Sequence, residues 1–165
     1  MHDTTLVTIT LNGRQEKLLA SCGDSLADVL RDTLDMTATH IGCNEGVCGA
    51  CTVLLDGRTV RSCLVLAGQA CGHHIETVEG YSASPVRRIL QDAFVDQFAA
   101  QCGFCTPGML AVGVEFLEDA SVPDHTDEAA IRERLNAVMC RCTGYRNIIA
   151  AIAQAARDLR EHRHE

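Results

Sequence analysis

Aromatic side chains are scarce in this 165-residue chain: it has no tryptophan, and aromatics make up only 4% of it. A core cannot be organised around large rings, so Leu, Val, Ile and Ala must supply it. At 47% hydrophobic residues there are enough of them. Basic residues are also few, 14 Lys and Arg against 22 Asp and Glu, giving a net charge of −8. Such a surface repels nucleic acid and anionic lipid, which sets both aside as partners. No apolar run approaches the roughly 18 residues needed to cross a membrane. The opening residues Met1-His2-Asp3-Thr4-Thr5 have neither the basic nor the apolar region of an export signal, so the expected compartment is the cytoplasm.

Against these absences stand ten cysteines. In a secreted chain they would suggest disulfides; without an export signal, metal binding is the better reading. The close pairs Cys102/Cys105 and Cys140/Cys142 suit convergent ligands rather than a disulfide ladder.

The chain divides by pattern. Leu6 to Leu11 alternates, Asn12-Gly13 is a strong hairpin turn, and Arg14 to Leu19 reads as the return strand. Asp24-Ser25 offers caps for a helix carrying Leu26, Val29, Leu30 and Leu34 at helical spacing. A loop with Gly42, Gly46 and Gly49 follows. Thr52 to Leu55 and Arg58 to Ser62 flank Asp56-Gly57 as a second hairpin, Val65 and Leu66 continue an apolar stretch, and Ile75 to Val78 reads as a last strand. Gly80 to Pro85 has linker composition. Beyond it the period is helical: Ser84-Pro85 starts a helix with Val86, Ile89, Leu90, Ala93, Phe94 and Phe98 on one face. A second helix runs from Thr106-Pro107 to about Leu117, and Asp119 to Asp124 is a loop. Ile131, Leu135 and Val138 mark a third helix, and Ile148, Ile149, Ile152, Ala156 and Leu159 a fourth. The expected domains are a β-rich unit over 1–80 and a four-helix unit over 81–165.

The helical half holds a faint repeat. Helix, Cys102-Gly103-Phe104-Cys105-Thr106, helix is echoed by helix, Cys140-Arg141-Cys142-Thr143, helix. A pseudo-twofold arrangement would gather four thiolates. Each Thr would cap a helix whose positive end favours an anionic group.

Cys43, Cys48, Cys51 and Cys63 begin with the spacing C-x4-C-x2-C of plant-type [2Fe–2S] proteins. Glycines let the loop wrap a cluster closely. Cys51 precedes one strand of the second hairpin and Cys63 follows the other, so closing the hairpin brings them together. Cys102, Cys105, Cys140 and Cys142 form a second set. By spacing alone it fits a structural Cys₄ zinc site as well as an iron–sulfur cluster. Cys22 and Cys71 remain; each reads as a small buried hydrophobe. His73, His74, His162 and His164 read as surface histidines, and Arg160 to Glu165 as a frayed helix end.

Gly42-Cys43-Asn44-Glu45-Gly46-Val47-Cys48-Gly49-Ala50-Cys51-Thr52-Val53 closely resembles the ferredoxin-like motif of the molybdenum hydroxylases: xanthine dehydrogenase, aldehyde oxidase and their bacterial carbon monoxide and N-heteroaromatic relatives. Gln101-Cys102-Gly103-Phe104-Cys105-Thr106-Pro107-Gly108 resembles that family's second motif, and Cys140-Arg141-Cys142-Thr143-Gly144-Tyr145 its third. Order and spacing agree over nearly the whole chain, which favours iron over zinc at the second set. Cys63 follows Cys51 after 11 residues, a shorter interval than in plant ferredoxins.

The resemblance implies an α+β protein: an N-terminal plant-ferredoxin-like β-grasp domain followed by a four-helix-bundle [2Fe–2S] domain. It implies that Cys43, Cys48, Cys51 and Cys63 hold the cluster nearer a flavin, and that Cys102, Cys105, Cys140 and Cys142 hold the one nearer molybdenum. Gln101 and Cys142 match positions that contact the pterin of the molybdenum cofactor. The chain has no dinucleotide fingerprint and no room for a flavin or molybdenum domain. It is therefore expected to be the small subunit of an oxidoreductase. Its partners would be a large molybdopterin-binding subunit and a medium FAD-binding subunit. The implied reaction is hydroxylation with water as oxygen source, on the partner. Two clusters on eight thiolates would take the net charge to about −12, a charge that needs N–H donors around it.

Overall fold

The computed structural model describes residues 3–162. It begins with the expected hairpin, β1 (Thr4–Leu11) and β2 (Arg14–Ser21), paired antiparallel in the register Leu11↔Arg14 to Thr4↔Ser21. Asn12 and Gly13 both have positive φ, 49° and 83°, as the two-residue turn matching the strand twist requires. Alternation then sends Val7, Ile9, Leu11, Leu18 and Ala20 to one face, where they are buried.

A short helix α1 (Leu26–Asp28) runs on as a wider π turn over Val29–Thr33. Ser25 caps it: its hydroxyl accepts from the Asp28 N–H at 3.1 Å, and the Asp28 carboxylate accepts from the Ser25 N–H at 3.2 Å. Leu26, Val29 and Leu30 cover the sheet face that Val7, Ile9, Val53 and Ile75 share. The second hairpin, β3 (Thr52–Leu55) and β4 (Arg58–Arg61), repeats the turn chemistry of the first, with Asp56 and Gly57 at φ 49° and 78°. The last strand, β5 (His74–Glu76), runs parallel to β1 and antiparallel to β3, completing a mixed sheet of order β2-β1-β5-β3-β4.

Four helices follow: α2 (Pro85–Asp96), α3 (Thr106–Glu118), α4 (Glu128–Leu135) and α5 (Arg146–Glu161). They share one apolar cluster that includes Leu90, Met109, Val114, Ile131, Ile148 and Ile152. Among the described residues, no helix is long and apolar enough to cross a membrane.

Several expectations need correction. The stretch read as a linker is a 3₁₀ segment, Val78–Ala83, whose Tyr81 is fully buried in the helical cluster, and β5 stops at Glu76. Arg87 lies over the Tyr81 ring at 5.2 Å and pairs with Glu76. Ser84 stands at the start of α2 but its side chain makes no capping bond. Thr106 is the first helical residue of α3 rather than its cap, and Tyr145, not Thr143, precedes α5. Cys22 and Cys71 are exposed: Cys22 follows the last residue of β2, and Cys71 follows a 3₁₀ turn, Ala67–Ala70. His73 lies at the surface as expected, where it pairs with Asp56 at 2.5 Å. Arg160, at the exposed end of α5, pairs with Asp124 at 2.5 Å. His164 and the end of that tail lie outside the described residues.

Phe98 does not belong to the buried face of α2. The helix ends in two reversed bonds, Ala99 N–H to Phe94 C=O at 2.9 Å and Phe98 N–H to Val95 C=O at 3.0 Å. That terminator places Phe98 in the left-handed region, at φ 51°. Glycine is the usual residue there, and a side chain costs roughly 1–2 kcal/mol. Ala99 and Phe94 are buried by the turn, while Phe98 points outward and is 79% exposed.

Candidate metal centres

The first cysteine set lies on the loop leading into β3 and at the exit of β4. Cys43 Sγ accepts N–H bonds from Glu45 and Cys48, both at 3.4 Å. These donors, Cys48 foremost, hold the Cys43 thiol down at about 7. Gly46, at φ 76°, sits under Leu64: a Cβ there would stand 2.3 Å from Leu64 Cδ1. The hairpin closes as the spacing predicts. Ser62 N–H and Oγ both donate to Cys51 C=O, at 3.3 and 2.7 Å, and the next residue is Cys63. Burial and the neighbouring Cys51 thiol push Cys63 up to about 11.

The second set joins two helix boundaries. Cys105 is buried and immediately precedes α3; Cys140 is buried between α4 and α5; Cys102 and Cys142 are exposed. Cys102 Sγ and Cys142 Sγ are 3.5 Å apart. Cys105 is pushed up to about 12 by burial and by its hydrogen bond with Cys140. Burial also acts to raise Cys140, but the Thr143 hydroxyl, 3.2 Å away, and nearby N–H groups outweigh it and lower that thiol. Tyr145 clamps the loop: its hydroxyl accepts from the Cys140 N–H at 2.8 Å and donates to Val138 C=O at 3.1 Å. Gln101 is exposed beside Cys102.

Among the described residues, no group of three or more His, Cys, Asp or Glu converges in a way that holds a single metal ion. The sulfurs interact as neighbours instead: Cys43 with Cys48, Cys51 with Cys63, Cys102 with Cys142, and Cys105 with Cys140. A two-iron core spans more space than one ion and takes two thiolates at each iron. Two pairs in each half, with N–H groups already aimed at Cys43, fit that group.

The halves meet through these sites. Met139 N–H donates to Cys48 C=O at 2.8 Å, joining a residue of the first set to the neighbour of Cys140. His40 stacks on Phe104 with ring centroids 4.7 Å apart, and its Nδ1 lies 2.9 Å from Phe104 C=O. Arg61 bonds Thr52 Oγ1 at 2.8 Å and also Ala137 C=O. Residue order alone does not predict the Tyr145 clamp, the His40 stack or the Met139 bond. Only Tyr145 had a local signal, its place directly after Cys142-Thr143-Gly144.

Comparison with known proteins agrees with this geometry. Residues 7–101 match the 2Fe-2S iron-sulfur cluster binding domain, and residues 77–153 match the [2Fe-2S] binding domain. The chain is 45% identical over 148 residues to caffeine dehydrogenase subunit gamma of Pseudomonas sp. (strain CBB1), covering 89% of this chain and 88% of that one. Quinoline 2-oxidoreductase from Pseudomonas putida 86 superposes with a TM-score of 0.87 at 43% identity, covering 96% of this chain and 97% of that one. Aldehyde oxidoreductase from Desulfovibrio desulfuricans ATCC 27774 gives 0.84 at 37% identity, over 94% of this chain but 17% of its own. Fold and site thus define a [2Fe–2S] protein. The chain belongs to the small iron–sulfur subunits of the molybdenum hydroxylase family.

Proposed function

We propose that this chain is the electron-transfer subunit of a molybdenum-containing hydroxylase, with Cys43, Cys48, Cys51 and Cys63 holding one [2Fe–2S] cluster and Cys102, Cys105, Cys140 and Cys142 the other. In this reading residues 1–80 form a β-grasp domain and residues 81–165 a four-helix bundle. Bound there, the clusters supply one-electron steps between molybdopterin on a large subunit and FAD, or another acceptor, on a further subunit. This chain makes and breaks no substrate bond. Its residues fix the cluster positions and set the local field through N–H donors and burial.

The observation that carries the reading is the Met139–Cys48 hydrogen bond between the two cysteine sets. It gives a short covalent and hydrogen-bonded route from one set to the other. The ends of the route also differ. The second set opens to solvent at Cys102 and Cys142, beside Gln101, and the first is bordered by exposed Asn44, Glu45, Val47 and Leu64. One edge therefore suits a pterin approached by Gln101 and Cys142, and the other suits an onward acceptor.

Anaerobic purification with iron analysis and low-temperature electron paramagnetic resonance tests this. Four irons per chain and two distinct [2Fe–2S] signals are expected, with a molybdenum-binding subunit in the same complex. Colourless protein containing zinc, or a chain that purifies alone with its clusters, would overturn it.

A further inference from the structure

We infer that Phe98 is an anchor for the molybdenum-binding large subunit, which buries its ring against the edge that carries Cys102 and Cys142. Phe98 is unfavourable twice in the chain by itself. Its ring is 79% exposed, and its backbone is left-handed at φ 51°. Neither the core nor the turn needs the ring: Phe94 and Ala99 supply the apolar contact of the helix terminator, and glycine suits the position better. A large side chain kept where the backbone opposes it points to a contact outside the chain.

The surroundings select the occupant. Val95, one turn earlier on α2, is 73% exposed. Phe98 and Val95 line an open groove of about 400 Å³ with Gln91, Phe94, Ala100, Thr106 and Leu110. Ala100 and Thr106 flank the Cys102–Cys105 segment in the chain, so one end of the groove is formed by residues that border the second cysteine set. Asn147 Nδ2 donates to Phe98 C=O at 3.3 Å, tying the anchor to the first turn of α5, just beyond Cys142. The partner that reaches exposed Cys102 and Cys142 meets Phe98 on the same approach. An apolar segment of that subunit fits the groove, because Phe94, Val95, Phe98, Ala100 and Leu110 make most of its lining and only Gln91 and Thr106 carry polar side chains. Interface energy concentrates in such buried aromatic anchors.

This inference rests on the electron-transfer reading and is tested beside it. The iron-loaded full chain is titrated against the large subunit with which it co-purifies, using wild type, Phe98→Gly, Phe98→Ala and Phe98→Leu. Phe98→Gly relieves the backbone and is expected to raise the small subunit's melting temperature by about 2–4 °C while weakening association at least about 10-fold. Phe98→Ala keeps the backbone cost and loses the ring, so it weakens association equally. Phe98→Leu retains most of the affinity. Iron content and visible spectrum stay unchanged in all three. Wild-type affinity in both the Gly and Ala variants overturns the anchor. So does loss of self-association in place of hetero-association, which would assign the groove to a second copy of this chain. A wild-type chain that binds no molybdenum-containing subunit overturns the functional reading, and the anchor with it.

Discussion

Gly108→Ala sets two physical effects directly against each other. Gly108 is in the first turn of α3. On helix propensity alone, replacing it by Ala stabilises the chain by about 1 kcal/mol. The packing opposes this. A Cβ on Gly108 would stand 2.6 Å from Gly49 C=O, 3.5 Å from Ala50 C=O and 3.4 Å from Val138 Cγ1. The nearest atom is backbone, so no side chain can rotate away. That carbonyl is also held, since Thr52 N–H and Oγ1 both donate to it, at 3.1 and 2.7 Å. Reaching ordinary contact near 3.4 Å requires the helix and the loop to separate by about 0.8 Å. Overpacking costs about 1–3 kcal/mol, and a backbone-to-backbone clash belongs at the upper end. Subtracting the propensity gain leaves a net loss of about 2 kcal/mol, roughly 30-fold in the folding equilibrium. Anaerobic guanidinium unfolding of the iron-loaded chain, followed by visible absorbance and circular dichroism, measures it. A midpoint at or above wild type would show that the two cysteine-bearing segments are not in tight contact, and the reasoning would fail.

Two further outcomes are expected. Removing iron with a chelator under reducing conditions should cost much of the circular dichroism, because the loops that carry the cysteines join two small apolar clusters and cluster binding contributes to folding; a stripped chain with a native spectrum would contradict this. Asp119 gives a pH test. The Ser121 hydroxyl and N–H, helped by Arg134, hold its carboxyl at about 2 against an ordinary 3.8. Its folded value lies below its unfolded one, so its contribution is complete above about pH 4 and lost as pH falls toward 2. Asp119→Asn should therefore be less stable than wild type at neutral pH, with the gap in unfolding midpoints closing through that window; a gap that stays constant would reject the assignment.

Much of this was legible from residue order. Both hairpins were, because Asn12-Gly13 and Asp56-Gly57 supply two positive φ values at the turn and little else does so cheaply. The Ser25 cap and the approach of Cys63 to Cys51 followed from short-range spacing. The helix faces were mostly readable from period, but Phe98 was misplaced because periodicity does not reveal where a helix terminates. Cys22 and Cys71 differ from the expectation of burial because composition says how often a thiol is inside, not whether this one lies just past the end of a strand, as Cys22 does, or of a 3₁₀ turn, as Cys71 does.

The sulfur spacing, the turns and the amphipathic faces are local properties, governed by a few neighbouring dihedrals and by side-chain order. They determine that there are two cysteine sets and which segments carry them. Which sulfurs face each other is not local. Cys102 meets Cys142, and Met139 reaches Cys48, only because α3, α4 and α5 pack around one apolar cluster and set their ends against the Gly49 loop. That packing sums many side-chain volumes across the chain, so no window of sequence contains it. It decides how the two sets are joined and leaves Phe98 facing outward.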